Sequence, residues 1–175
     1  MGVENGLYRL ILLLHITSVV VGFGPLFFSA AHSRLARKRG GAEGLAIGEA
    51  NEQATEWAER AIYAVPVFGI LLVLLSDGAW GFDQLWITLS FVLYFAAVAV
   101  LHAVVKPTHR RLNEVTASLA SGGGRVPAAG GGAGGRRPPE VAELQQLGKK
   151  LAAGAGVVNA LVVVLIGVMI WKPGL

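Results

Sequence analysis

LLLHITSVVVGFGPLFFSAAH, residues 12–32, is the stretch that decides the fold. No Asp, Glu, Lys or Arg falls between residues 10 and 31, and an uncharged apolar run of this length reads as a membrane-spanning helix. Within it His15, Ser18, Gly22, Pro25, Ser29 and His32 recur at steps of three and four. That spacing places them on one helical stripe. Leu12, Leu13, Ile16, Val19, Val20, Phe23 and Phe27 form the opposite surface. One face suits lipid and the other a packed protein interior. His15 lies on the inward stripe at hydrocarbon depth, where an ionisable residue is a functional candidate by default. Three readings compete for it: a haem or metal ligand, a proton-transfer group, or a buried hydrogen-bonding residue between helices.

Three more uncharged apolar runs follow, at residues 61–76, 85–105 and 151–171. The chain has 175 residues, 54% of them hydrophobic, and a mean hydropathy of +0.59, values that belong to integral membrane proteins. The second run reaches only about 24 Å at 1.5 Å per residue, so its helix starts earlier, inside the polar stretch before it. The expected spans are 8–32, 58–76, 85–106 and 151–171, in one all-α bundle of four transmembrane helices.

Orientation follows from Lys and Arg. Thirteen of the 15 basic residues sit in the two long connections, from Arg34 to Arg60 and from Lys106 to Lys150, leaving only Arg9 and Lys172 on the other side. The positive-inside rule then places both long connections, with their helix extensions, in the cytoplasm. Both termini fall outside it, and the expected location is a bacterial inner (plasma) membrane. The pI of 9.8 follows from this topology and implies a lipid bilayer, not nucleic acid, as partner. Ser29-Ala30-Ala31 resembles a cleavage site, but the apolar run is too long for a signal peptide and Arg34 to Arg39 read as a stop-transfer cluster. There is no cysteine, which excludes disulfides, iron–sulfur clusters and thiolate metal sites.

Residues 49–60 (EANEQATEWAER) read as a solvated helix leading into the second span, with Glu56 and Arg60 as an i,i+4 pair and Trp57 at headgroup level. Pro25 and Pro66 bend their helices. Trp80 and Trp86 anchor a tight outer loop. The third span ends at Lys106-Pro107, and Leu112, Val115 and Leu119 carry an apolar stripe beyond it. Residues 121–139 (SGGGRVPAAGGGAGGRRPP) form a disordered glycine-rich linker. Pro139 and Glu140 then open a helix that runs into the last span. There Gly154, Gly156 and Ala160 permit close approach and Asn159 can bond across a helix interface.

His15 and His102 are separated by about 15 Å in depth if both helices run outside to inside, too far for two axial ligands on one iron. Haem held by His15 alone, or by His15 across a dimer, survives. His32, His102 and His109 lie near the cytoplasmic boundary without a carboxylate at ligand spacing, and no metal site is assigned to them. No Ser/His/Asp arrangement, intramembrane carboxylate pair or dinucleotide motif is present, so no catalytic residue is named. The lack of a charged residue inside the apolar runs counts against transport by a monomer.

Four stations carry a resemblance: LLLHITSVVVGFGPLFFS, VPVFGILLVL with Pro66 and Gly69, LWITLSFVLYFAAVAVLHAVVKPTHRRL, and the final apolar helix. Together they resemble the predicted integral membrane family known as domain of unknown function 2269. More distantly the chain is similar to four-helix haem-linked bacterial membrane proteins, the membrane protoporphyrinogen oxidase and the copper-resistance D membrane domain. That similarity implies a haem-associated role for His15, which matches the early first-span histidine of the oxidase family. Ser90 stands where that family has a lysine after a tryptophan, which counts against the oxidase reaction. The resulting expectation is a membrane protein that binds haem or a related cofactor through His15. The alternatives are a non-enzymatic accessory or structural subunit, in a homo-oligomer or membrane complex, and a small oligomeric transporter.

Overall fold

The computed structural model describes residues 2–39, 41–121 and 139–175. They form α1 (Gly6–Arg39), α2 (Gly41–Leu75), α3 (Leu85–Val100), α4 (Lys106–Ser121) and α5 (Pro139–Trp171), with one π-helical turn, Leu101–Val105, joining α3 to α4. Four stretches are long and apolar enough to cross a membrane: Gly6–Ala36, Ala46–Leu75, Leu85–Ser118 and Ala142–Trp171. The expected four-helix, all-α membrane architecture is therefore present. The glycine-rich linker, apart from Ser121 and Pro139 at its ends, lies outside the described residues.

The helix runs on past Lys106-Pro107, where the third span is expected to end, as the apolar stripe beyond it predicts. Proline has no N–H to offer the carbonyl four residues back, which ordinarily breaks a helix. Here the preceding turn widens, and Lys106 N–H reaches the carbonyl of Leu101. The wider turn absorbs the missing donor and the rod continues into α4. Inward residues show the same adjustment. They fall at Ile87, Ser90, Tyr94, Ala97 and Leu101, and then continue at Val105, Thr108 and Val115.

The connection between α2 and α3 is a compact turn. Asp77 (φ 59°) and Gly78 (φ 83°) are both left-handed, a conformation that Asp tolerates and Gly adopts freely. The buried Ser76 hydroxyl donates to Val73 O at 2.8 Å and accepts the Trp80 N–H at 3.0 Å. Trp80 Nε1–H donates to the Tyr8 hydroxyl at 3.0 Å. The Lys172 ammonium lies 3.9 Å from the Trp80 ring centroid and 5.4 Å from that of Trp86. The start of α1, the end of α5 and this turn therefore meet at one end of the bundle.

The bundle is two helix pairs. α1 lies along α2, and α3 with α4 lies along α5; α1 also touches α5. Glycine permits the closest approaches. A Cβ at Gly22 would sit 2.9 Å from the backbone N of Ile62, and one at Gly154 would sit 3.0 Å from Val104 Cγ1. Close backbone packing of this kind drives helix association where lipid removes the hydrophobic incentive. The core that joins the pairs includes Phe23, Ile62, Val65, Tyr94, Ala97, Leu101, Val158 and Val162. Leu13, Val20, Leu74, Phe95 and Ile170 face outward and are exposed, which suits a hydrocarbon surround.

Candidate functional site

His15 is buried in the α1–α2 seam, with 6% of its surface exposed. Its Nδ1 lies 3.0 Å from the carbonyl oxygen of Val65. A carbonyl only accepts, so Nδ1 carries the proton and donates. In the neutral ring this leaves Nε2 as a bare nitrogen. Gly69 makes room for the ring: a Cβ there would stand 3.3 Å from His15 Cε1. One turn away, Pro66 withholds the N–H that Ile62 O would normally receive. Tyr94 repairs that loss from α3, donating its hydroxyl to Ile62 O at 2.9 Å. The segment of α2 from Ile62 to Gly69 thus bears two carbonyl-directed bonds, one from each helix pair.

A second constellation lies nearer the end of the bundle opposite the α2–α3 turn. Glu59 and Tyr63 sit one turn apart on α2, His102 is in the π-helical turn and Lys106 opens α4. Lys106 Nζ donates to Glu59 Oε1 at 2.6 Å. Tyr63 Oη is 3.1 Å from the same carboxylate oxygen and 2.7 Å from His102 Nε2. His102 Nδ1 is 2.9 Å from Val98 O, and Nε2 is 3.6 Å from Glu59 Oε1. These bonds bridge α2 to α3 and α4, whose backbones do not pack closely. A cavity of about 20 Å³ lies beside Glu59, lined by Leu26, Thr55, Ile62 and Leu101 among others, large enough for a water molecule.

His15 faces inward, as its spacing predicts, but some of its neighbours on α1 lie differently from expectation. Phe23, assigned to the lipid face, is 3% exposed and belongs to the core, while Ser18 is half-buried and donates to Leu14 O of its own helix at 2.8 Å. The buried ridge of α1 runs through Tyr8, His15, Gly22, Phe23 and Leu26, so it is rotated from the polar stripe. Residues 49–60 are not simply a solvated extension. Asn51 and Ala58 are buried, and Arg60 lies over the Trp57 ring, 4.9 Å from its centroid, instead of pairing with Glu56. The interhelical bond expected of Asn159 is not made, since its Oδ1 is buried without a partner.

His32 is exposed and His109 partly buried. Among the described residues no group of three His, Cys, Asp or Glu side chains converges to hold a metal ion. His15 and His102 engage α2 at different levels, Val65 to Gly69 and Glu59 to Tyr63. These levels differ by about 9 Å along the helix, less than the sequence estimate but still too far for shared ligation. The Glu59–Tyr63–His102–Lys106 constellation is not legible in the sequence; its local signals are two spacings of four residues, Glu59 to Tyr63 and His102 to Lys106.

The family model described as predicted integral membrane protein (DUF2269) matches residues 9–129, which carry α1 to α4 and both constellations. No curated protein and no solved structure matches the chain. With more than half its length matched, this four-helix chain belongs to the DUF2269 family of predicted integral membrane proteins.

Proposed function

We propose that the protein is a structural subunit of a bacterial inner membrane, with both termini on the non-cytoplasmic face, and that His15 fastens α1 to α2. The observation that carries this reading is the 3.0 Å contact from His15 Nδ1 to Val65 O, made by a nearly enclosed ring held against Gly69. Tyr94 is used in the same way, donating from α3 to the carbonyl of Ile62 on α2. Arg34, Lys38 and Arg39, at the end opposite the α2–α3 turn, support the orientation through the positive-inside rule.

A second reading is cofactor binding, with His15 as a single haem ligand. The tautomer favours it: ligating histidines commonly give one N–H to a carbonyl and present the other nitrogen to the metal. One preparation of each variant separates the two. Protein purified in detergent from cells with ample haem is expected to show no Soret band. His15→Ala is expected to lower its stability by about 0.6–2 kcal/mol, the range for interhelical bonds in membranes. A Soret band in the wild type that disappears in His15→Ala overturns the structural reading and establishes the second.

A further inference from the structure

The geometry points to a one-proton relay formed by His102, Tyr63 and Glu59, a proton-holding site separate from the His15 seam. Hydrogen counting carries it. His102 Nδ1 faces only a carbonyl, Val98 O, so it donates and always holds its proton. The chain Nε2, Tyr63 Oη, Glu59 Oε1 has two contacts, of 2.7 and 3.1 Å, and the hydroxyl supplies only one hydrogen. Both contacts are complete hydrogen bonds when one further proton is present. In one state that proton is on His102: Nε2–H donates to Tyr63 Oη, and the hydroxyl donates to the Glu59 carboxylate. In the other it is on Glu59: the carboxylic acid donates to Tyr63 Oη, and the hydroxyl donates to the bare Nε2. Passing from the first state to the second, Nε2–H breaks as Oη gains that proton, and Oη–H breaks as Oε1 gains the other. The heavy atoms stay in place, atoms and charge balance, and both bonds reverse direction. With no further proton one contact has no hydrogen; with two, both ends donate to one hydroxyl.

The charged surroundings bias the relay. Lys106, from α4, is 2.6 Å from Glu59 Oε1 and favours the state in which Glu59 is the anion and His102 the cation. The groups facing it from α2 are Glu56 and Arg60, which with Glu59 and Tyr63 line one surface groove. That groove and the cavity beside Glu59 connect the carboxylate end to water-sized spaces. Tyr63 is half exposed and the His102 side chain 37% exposed, so the imidazole end opens sideways, away from the core. The π-helical turn places His102 here. Such turns recur at functional positions.

Magnetic resonance on wild-type protein with labelled His and Tyr, in lipid nanodiscs, tests the relay. In the interval where the cluster holds one proton, His102 Nε2–H is expected to be shielded from exchange with water. The Tyr63 Cζ shift is expected to respond at both protonation steps of the cluster, as for coupled sites. Tyr63→Phe, which keeps the ring, is expected to speed that exchange by about tenfold, the equivalent of one hydrogen bond. Equal exchange in wild type and Tyr63→Phe overturns the relay. Should the variant not fold, a wild-type Tyr63 Cζ that responds to one step alone, or to neither, overturns it as well.

Discussion

A methyl group is the smallest probe of how closely α1 and α2 approach: Gly22 and Gly69 grade the answer, and Gly156 on α5 is the open reference. At Gly22 a Cβ would meet the backbone of Ile62 at 2.9 Å; backbone cannot move aside cheaply. At Gly69 it would meet the His15 ring edge at 3.3 Å, and at Gly156 nothing lies within 4 Å. Gly22→Ala is therefore expected to destabilise the protein by about 1–3 kcal/mol through overpacking. Gly69→Ala is expected to cost less, because the ring can give by a few tenths of an ångström. Gly156→Ala is expected to gain about 0.5–1 kcal/mol from helix propensity. Unfolding in one detergent ranks all three, and a different order would contradict the close α1–α2 packing. At this scale the sequence was legible only in part. Polar periodicity pointed His15 inward, but the misplacement of Phe23 has a physical cause. In a membrane the residues that face lipid and those that fill the core share the same apolar chemistry, so hydrophobicity alone does not orient a helix.

Pro66 and Pro107 shape the elements, and the two breaks are compensated differently, one from a neighbouring helix and one locally. Pro66 leaves Ile62 O without its helical donor, and Tyr94 fills the vacancy from α3. Tyr94→Phe is expected to destabilise by about 1–3 kcal/mol, the cost of an orphaned buried carbonyl. Pro66→Ala restores an N–H to the same oxygen, so in that background Tyr94→Phe is expected to cost clearly less. A double-mutant cycle measures the coupling, and additive effects would contradict this exchange of donors. Pro107 is compensated locally by the π-helical turn, so the helical rod continues past it into α4. The Lys106–Glu59 contact joins residues 47 apart in the chain. No window of sequence contains it, and the two residues read separately as solvated charges at helix ends.

For the whole molecule, the arrangement is two helix pairs held together by an apolar core and by long side chains that reach across. Four spans were legible from uncharged length, because a bilayer requires every backbone group to be satisfied within the helix. The pairing of helices was not: the tight turn joins α2 to α3, yet α2 packs along α1 and α3 along α5. The natural chain contains no cysteine, so single cysteines can be placed without background. Gly78→Cys, in the α2–α3 turn, and Leu175→Cys lie at one end of the bundle. Asn113→Cys, on α4, lies toward the other, and Phe95→Cys lies mid-helix on the exposed apolar surface. The most direct test of a bilayer-spanning bundle with both termini outside is labelling of these variants by a membrane-impermeant maleimide. Intact spheroplasts are expected to label Gly78→Cys and Leu175→Cys. Asn113→Cys is expected to react only after permeabilisation, and Phe95→Cys in neither condition. Reaction of Asn113→Cys but not Gly78→Cys in intact spheroplasts would invert the orientation, and ready reaction of Phe95→Cys would contradict the membrane-spanning bundle itself.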